Sequence, residues 1–206
     1  MLKKQDYIFA GIVFCALLIG VFSMTKIVDA QNTSGNTAEA IFAGGCFWCT
    51  ESDLEKLDGV NQVVSGYIGG HVKNPSYEQV VSGKTGHREA VRVVYNPDVI
   101  SYETLLDAFW KTIDPFDDKG QFCDKGFQYT SAIYYTDDDH KALIERNLRA
   151  KEKQLGQKIV TAVEPVSEFY DAEDYHQDFY QKNPIRYRYY RFGCGRDRRT
   201  AEVWDD

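Results

Sequence analysis

One stretch organises the sequence: Ile41-Phe-Ala-Gly-Gly-Cys46-Phe-Trp-Cys49-Thr-Glu51. Ile41 to Ala43 indicates a short buried strand, and Gly44-Gly45 ends that strand with a tight turn. We expect a helix from Cys46 to Leu57, which places Cys46 in the first turn. Unpaired backbone N–H groups and the positive end of the helix dipole meet there and favour a thiolate, the reactive form of cysteine. The stretch therefore predicts a reactive thiol, with a second sulfur, Cys49, one helical turn away on the same face.

The N-terminus has the pattern of an export signal. Lys3 and Lys4 precede an uncharged apolar run over residues 7–24, which is long for a signal core and just long enough to span a bilayer. We therefore expect residues 1–30 to be a signal peptide or an N-terminal membrane anchor, and residues 31–38 to be a linker. The remainder is expected to lie in the periplasm or another extracytoplasmic space, either free or anchored to the inner membrane.

Beyond the linker, we expect one catalytic domain over residues 39–184 and a tail over residues 185–206. Strands and helices alternate without a regular β-α-β repeat, so the predicted class is α+β: a two-layer sandwich whose mixed or antiparallel sheet carries packed helices. The predicted strands cover 60–68, 90–95, 131–136 and 159–169, and the predicted helices cover 104–113, 137–155 and 172–182. Residues 116–129 are predicted to form a functional loop.

Composition excludes some classes of function. The net charge of −7 argues against general binding of nucleic acids. Cys15 lies in the leader, which leaves Cys46, Cys49, Cys123 and Cys194 in an exported domain where disulfides are permitted. Redox chemistry ranks first for these four and structural disulfides second. Zinc ranks third, because the chain has only one C-x-x-C pair.

Several motifs in a fixed order carry a resemblance to a known family. They are Gly44-Gly-Cys-Phe-Trp48, Gly66-Tyr-Ile-Gly-Gly70, Asn74-Pro-Ser-Tyr77, Ser82-Gly-Lys-Thr-Gly-His-Arg-Glu89-Ala-Val, Asp124-Lys-Gly-Phe-Gln-Tyr129-Thr-Ser-Ala-Ile and Ala172-Glu-Asp-Tyr-His176-Gln. In this order they resemble the A-type peptide methionine sulfoxide reductases. Each string is weak evidence alone, whereas five or six in order across one domain are strong evidence.

The resemblance implies the chemistry. Cys46 would attack the sulfur of the S-epimer of methionine sulfoxide, and Glu89, as a protonated acid, would donate to the oxygen. Tyr77 and Tyr129 would hold that oxygen, and Asp124 would act from behind them. Phe47 and Trp48 would enclose the methyl group, and His176 belongs to the same substrate site. By residue type alone, Glu89 would be a solvated charge at a strand end and His176 a surface residue.

The residue types suit that reaction. A sulfoxide oxygen leaves only after protonation, so a general acid is required, and a glutamic acid fills that role near neutral pH when burial raises its pKa. Tyrosine hydroxyls stabilise developing charge on the oxygen. Cys46 would be left as a sulfenic acid, which condenses with a nearby thiol to a disulfide that an external dithiol reduces.

The resolving cysteine is left open between Cys194, Cys49 and Cys123. Many members of the family have glycine at the position of Cys49. We place Cys194 first because glycines on both sides would let it swing, with Cys49 relaying the disulfide.

The implied partners are oxidised proteins or peptides and a thioredoxin-type reductant, with no bound cofactor, no metal and no nucleic acid. The enzyme is expected to be a monomer that repairs exported proteins under oxidative stress, touching the membrane only through an uncleaved N-terminus. One alternative is a thioredoxin-like oxidoreductase that uses Cys46 and Cys49. Another, from a different class, is an anchored module that binds oxidised proteins without turnover.

Overall fold

A computed structural model describes residues 36–205. The predicted leader and residues 31–35 of the predicted linker lie outside these residues. Among the helices within 36–205, none combines the length and the apolar character needed to cross a bilayer.

The described elements follow one another along the chain as a mixture of short strands and helices. The strands are β1 (Ala38–Ala43), β2 (Val60–Ile68), β3 (Arg88–Tyr95), β4 (Gly120–Gln121), β5 (Asp124–Lys125), β6 (Ala132–Tyr135), β7 (Ala162–Pro165) and β8 (Phe169–Asp171). The helices are α1 (Phe47–Leu54), α2 (Tyr77–Val81), α3 (Tyr102–Trp110), α4 (Asp138–Leu155), α5 (Phe179–Lys182), α6 (Pro184–Gly193) and α7 (Arg196–Trp204), and a short 3₁₀ turn covers Phe127–Tyr129.

Six strands form the central sheet in the order β7-β6-β1-β3-β2-β8. All neighbours are antiparallel except β6 and β7, which are parallel. β1 and β3 lie at the centre, and β1 leads directly into the turn before α1. The mixed sheet with packed helices confirms the predicted α+β class.

Alternation along β1 sends its side chains to the two faces of the sheet. Ala40 and Phe42 join the main core, which contains buried residues of α3 such as Leu105 and Phe109. Ile41 and Ala43 join a smaller cluster on the opposite face. Each large apolar side chain buried in this way contributes roughly 1.5–3 kcal/mol. The main core therefore fixes the end of β1 firmly, and with it the position of Cys46.

The long helix α4 is confirmed nearly to the residue. Its N-cap is Asp137, whose side chain accepts a hydrogen bond from the backbone N–H of His140, and Gly156 ends it in a left-handed conformation. Ser101 caps α3 in the same way, through the N–H of Thr104.

Three predicted elements differ from the observed ones. The single strand predicted over 159–169 is two strands, β7 and β8, on opposite edges of the sheet, because the chain leaves β6 at Pro165 and next pairs with β2. The helix predicted over 172–182 is confined to α5, since turns occupy most of its first half. The predicted loop over 116–129 contains the β4–β5 hairpin and the 3₁₀ turn.

The tail, in which no helix was predicted, forms α6 and α7. Tyr187 of α6 and Val203 of α7 are buried. The indole N–H of Trp204 donates to the carbonyl of Ile113 at 3.0 Å, which ties the end of α7 to the segment after α3.

Candidate active site

Cys46 lies at the junction between β1 and α1. Gly45, just before it, has φ +82°, and a Cβ atom there would lie 2.5 Å from Cβ of Gln121, so the turn requires glycine. Cys46 is the N-cap residue of α1, and its side chain makes no capping hydrogen bond. The helix is shorter than predicted, but it places Cys46 at its N-terminus as expected.

The group bonded to the N-terminus of α1 is the carboxyl of Glu89, at the start of β3, and not the sulfur of Cys46. Its Oε2 accepts a hydrogen bond from the backbone N–H of Phe47 at 3.0 Å, and the residue is only 2% exposed. Burial raises the pKa of Glu89 to about 8, against the opposing effect of that amide, and the charges of Asp124 and Cys49 raise it further. The carboxyl group therefore keeps its proton at neutral pH, beside the residue that follows Cys46.

Tyr77 and Tyr129 meet beside Glu89 and Cys46. Burial raises the pKa of Tyr77 to about 12, and the charges of Glu89 and Cys46 add to that shift. Burial raises the pKa of Tyr129 as well, with Glu89 and Cys46 adding to the shift through their charges. Both hydroxyls stay protonated over the physiological range, so both can donate hydrogen bonds to an oxygen bound near the sulfur.

His176 is buried and orients Trp48. Its Nδ1 accepts a hydrogen bond from the indole N–H of Trp48 at 2.9 Å, and its ring lies 4.9 Å from that of Phe47 and 4.5 Å from that of Tyr77. Burial lowers the pKa of His176, which keeps the ring neutral and able to accept this bond. Trp48 also stacks on Phe179 with ring centroids 3.6 Å apart. The aromatic residues beside Cys46 are thus fixed in orientation, which suits the wall of a small apolar pocket.

The four cysteines form two separate pairs. Cys46 and Cys49 are free and buried, and the backbone N–H of Cys49 donates to the carbonyl of Cys46 at 3.1 Å. Cys123 and Cys194 form a disulfide with Cα atoms 4.8 Å apart. Among the described residues, the one group of three possible metal ligands is Cys123, Asp124 and Cys194, and two of those three are spent in the disulfide.

The sequence predicts a lowered pKa for the Cys46 thiol, but in the structure the lowered pKa belongs to Cys49. Burial raises the pKa of the Cys46 thiol well above its usual value, and the charges of Cys49 and Glu89 add to that effect. The hydrogen bond from Cys46 lowers the pKa of Cys49 to about 7, helped by the charges of Arg196 and Arg191. A position at the helix N-terminus is therefore not enough to keep Cys46 ionised. The backbone N–H of Phe47 is bonded to Glu89, and burial raises the pKa of the thiol more than the helix dipole lowers it.

A sequence model of the family described as "Peptide methionine sulfoxide reductase" matches residues 38–206. The chain belongs to the peptide methionine sulfoxide reductase family. It is 50% identical over 190 residues to the peptide methionine sulfoxide reductase MsrA 2 of Rhizobium meliloti, covering 92% of this chain and 94% of that protein. It is also 47% identical over 194 residues to the peptide methionine sulfoxide reductase MsrA/MsrB of Vibrio cholerae. That match covers 92% of this chain and 51% of the Vibrio protein.

Solved structures give the same result. The reduced form of Mxr1 from Saccharomyces cerevisiae is 34% identical, with a TM-score of 0.69 over 72% of this chain and 87% of that one. Methionine sulfoxide reductase A of Corynebacterium diphtheriae is 30% identical, with a TM-score of 0.70 over 72% of this chain and 76% of that one. The resemblance read from the motifs is confirmed, and the protein is a peptide methionine sulfoxide reductase, an oxidoreductase.

In this peptide methionine sulfoxide reductase, the geometry does not support the preference for Cys194 as the first partner of Cys46. Cys194 lies between α6 and α7, and its sulfur is bonded to Cys123. The neighbouring glycines end α6 and begin α7 instead of forming a free hinge. Cys49 is the cysteine that contacts Cys46, because one turn of α1 separates them.

Sequence reasoning missed two residues of the reductase site. The hydroxyl of Tyr190 on α6 donates to Oδ2 of Asp124, and its ring lies edge-on to Trp48 with centroids 5.7 Å apart. Arg196 on α7 is 2% exposed and donates to the carbonyl of Gly44 at 2.9 Å. A helical spacing in the tail, Tyr187, Tyr190, Arg191 and Cys194, is the signal that could have revealed an inward face.

Proposed function

We propose that this reductase repairs the S-epimer of methionine sulfoxide in exported proteins, with Cys46 as the nucleophile and Glu89 as the acid. The observation that carries the assignment is the buried, protonated Glu89 bonded to the amide of Phe47, the residue next to Cys46. A carboxylic acid with a pKa near the working pH is suited to donate a proton in the transition state.

The first step transfers oxygen from substrate to enzyme. The Cys46 sulfur attacks the sulfoxide sulfur and an S–S bond forms, while Glu89 protonates the oxygen, the S–O bond breaks and the oxygen leaves as hydroxide. Hydroxide then attacks the Cys46 sulfur, the S–S bond breaks with its electron pair going to the methionine sulfur, methionine leaves and Cys46 becomes a sulfenic acid. Tyr77 and Tyr129 donate hydrogen bonds to the oxygen as charge develops on it. Phe47 and Trp48 enclose the methyl group, and His176 supports the substrate site by holding Trp48. Asp124 acts indirectly, by accepting the hydrogen bond of the Tyr190 hydroxyl.

The second step regenerates the thiols. Cys49 attacks the sulfenic acid of Cys46, a disulfide forms and water leaves. A thioredoxin-type dithiol then reduces that disulfide by exchange. Support for such a partner comes from Mxr1 of Saccharomyces cerevisiae, a structure of which is described as a complex with Trx2. Cys49 replaces Cys194 as our first choice of resolving cysteine, because it lies one helical turn from Cys46 and is free, whereas Cys194 is bonded to Cys123.

Export is proposed from the sequence alone. The basic residues Lys3 and Lys4 and the apolar run over 7–24 favour a signal peptide or an anchor, which would place the domain in the periplasm or on the outer side of the inner membrane. Mass analysis of the mature N-terminus from cell fractions separates the two: a cleaved leader supports the signal peptide and an intact one the anchor. Recovery of the protein in the cytoplasm would contradict export.

The function is tested by incubating the full chain with peptides that carry each sulfoxide epimer, followed by mass analysis for loss of one oxygen. We expect conversion of the S-epimer only, and none by Cys46→Ser. Conversion by Cys46→Ser, or of the R-epimer at an equal rate, would contradict the mechanism. Reduction of insulin disulfides without any sulfoxide requirement would instead favour a general thiol–disulfide oxidoreductase.

The resolving cysteine is tested with matched serine variants. Cys49→Ser should reduce about one sulfoxide per enzyme and then stop with thioredoxin as the reductant, because its sulfenic acid has no partner. Cys123→Ser and Cys194→Ser should continue to turn over. The opposite pattern, arrest in Cys194→Ser and turnover in Cys49→Ser, would restore the preference drawn from the sequence.

A further inference from the structure

The outer face of α6 carries a row of apolar side chains that no other part of the described chain covers. Ile185, Tyr189 and Phe192 are 73%, 78% and 86% exposed, and they are the three most exposed large hydrophobic residues within 36–205. Their spacing of four and then three residues places them one above another on the same side of the helix. Single exposed apolar residues are common, but a contiguous row indicates an interaction surface.

The fold keeps this α6 row in solvent. The opposite face of α6 is fixed to the domain: Tyr187 is buried, Arg191 pairs with Asp53 at 2.7 Å, and Cys194 is bonded to Cys123. Successive helical residues differ by about 100° around the axis, so all three members of the row lie roughly half a turn from Tyr187. Rotation of α6 to bury the row would break these contacts, and the row is therefore a permanent surface of the folded domain.

Two arginines lie on either side of the α6 row. Arg186 and Arg188 are exposed, and neither pairs with an acidic side chain within the described residues, whereas Arg191 and Arg199 have carboxylate partners. Residues 182–199 contain seven Lys and Arg and a single acidic residue, Asp197, although the whole chain has a net charge of −7. The apolar row is thus flanked by positive charge in an otherwise acidic protein.

The direction and the charge of this surface argue against a protein partner. A substrate or reductant must reach Cys46 and Cys49, but Cys49 packs against Tyr187, on the inward face of α6, and the row points the other way. A second copy joined through the row by a two-fold axis would bring Arg186 and Arg188 against the same two arginines, and like charges in contact repel.

An anionic lipid bilayer matches both parts of the surface. A helix that lies in the interface buries its apolar and aromatic side chains at the level of the headgroups, while flanking arginines bind anionic lipid. The chain before the domain is long enough for this contact. With the apolar run over 7–24 in the bilayer, residues 25–37 would extend over at most about 45 Å, and a domain of this size is about 40 Å across, so any face can reach the lipid.

We propose that α6 docks the domain on an anionic bilayer, with Ile185, Tyr189 and Phe192 among the headgroups and Arg186 and Arg188 bound to anionic lipid. This contact adds to the N-terminus, the one membrane contact expected from the sequence. The helix lies along the surface, since its ten residues are too few to cross a bilayer. Access to a membrane rests on the proposed export, but the test observes α6 itself and gives an answer with a cleaved or an intact leader.

The test measures the exposure of individual side chains by hydroxyl-radical labelling and peptide mass analysis. The mature chain, with the N-terminus that the cell leaves on it, is combined with vesicles of saturated phosphatidylcholine, either alone or with one third of phosphatidylglycerol. The labelling rates of Tyr189 and Phe192 report on the α6 row. Tyr175, which is 54% exposed and lies outside α6, is the internal control.

We expect the anionic vesicles to slow the labelling of Tyr189 and Phe192 several-fold and to leave Tyr175 unchanged. High salt should restore labelling, because it screens the attraction. The double variant Arg186→Gln/Arg188→Gln should shift the docking equilibrium about 30-fold towards the free state, since each arginine near an anionic surface contributes about 1 kcal/mol.

Two matched controls separate this surface from general effects. Arg146→Gln/Arg149→Gln removes the same charge from exposed positions on α4 and should keep the protection. Phe192→Ser should weaken the protection of Tyr189, whereas Val99→Ser, at another exposed apolar position, should not. Sulfoxide reduction in solution should be equal in all of these variants, because none of the substituted residues belongs to the active site.

Equal labelling of Tyr189 and Phe192 with and without anionic vesicles would overturn the proposal, even for a chain that stays anchored in those vesicles. Full protection in the double arginine variant, or equal protection by neutral vesicles, would overturn the recognition of anionic lipid. Protection that appears without lipid and grows with protein concentration would assign the row to a second copy of the chain. Protection by thioredoxin alone would assign it to the reductant, and either result would exclude the bilayer as its partner.

Discussion

At the residue scale, Glu89 shows how burial changes the chemistry of a common side chain. Its carboxyl group sits at the N-terminus of α1, where an ionised acid would be favoured, yet burial prevails and raises its pKa to about 8. We therefore expect kcat/KM for the sulfoxide to rise with pH and then level off above about 8, because loss of the acid form there offsets the gain in Cys46 thiolate.

Glu89→Gln tests this role with little change in shape, since the amide oxygen can still accept the hydrogen bond from Phe47. We expect kcat/KM to fall by about 100-fold, the lower range for the loss of a general acid. The levelling above pH 8 should disappear and kcat/KM should keep rising with pH, because the variant has no proton to lose there. Glu103→Gln, at an exposed position on α3, is the control and should behave as the wild type. A Glu89→Gln enzyme with the wild-type pH profile would exclude Glu89 as the acid.

At the element scale, α7 is bonded to the turn between β1 and α1, which carries Cys46. Arg196 donates to the carbonyl of Gly44, and its guanidinium lies 4.6 Å from the centroid of the Phe122 ring. It also approaches Asp53 at 3.8 Å, although Arg191 pairs with that carboxylate more closely. The last helix is thus connected to the residue two positions before Cys46.

Removal of that contact should cost stability. We expect Arg196→Ala to lower the free energy of unfolding by about 3 kcal/mol, because it leaves a buried carbonyl without its donor and opens a cavity. Arg198→Ala is the matched control on the same helix: its side chain is 81% exposed, and the change should stay within about 0.5 kcal/mol. Urea unfolding of both variants measures the difference. Equal stability of the two would show that α7 does not support the turn.

The elements also show what the sequence could and could not predict. Alternating apolar residues predict β2 and β3 correctly, and caps such as Asp137 predict the start of α4, because these signals are local. The separation of β7 from β8 depends on which distant strand each one pairs with, and periodicity carries no such information. Cys46, Glu89, Tyr77 and Tyr129 were found through their motifs. Tyr190 was missed because the motifs do not extend into the tail, and the inward face of the tail becomes visible only once α6 is known.

At the scale of the whole molecule, two buried carboxyl groups make the stability depend on pH. Burial raises the pKa of Glu51 to about 7 and that of Glu89 to about 8, against 4.5 for an ordinary glutamate. In the folded protein these groups hold protons that the unfolded chain releases above pH 4.5. At these two groups the folded state binds more protons, so their contribution to the free energy of unfolding falls as the pH rises from about 4.5 towards 7 and 8.

Urea unfolding at several values between pH 5 and pH 7 measures this fall. Each group contributes a slope of at most about 1.4 kcal/mol per pH unit. Of the groups with lowered pKa values, Asp107, Asp137 and Glu173 titrate below this window. Burial lowers the pKa of His140 and His176 from 6.5, so these two rings act with the opposite sign inside it, and the carboxyl contribution is measured as the difference between the wild type and a variant. Cys49, with a pKa of about 7, acts with the opposite sign only above it. In Glu51→Gln the free energy of unfolding should fall less steeply with pH than in the wild type, since the amide cannot ionise. Glu103→Gln should keep the wild-type slope. A slope that stays the same in Glu51→Gln would mean that this carboxyl group is not held protonated by the fold.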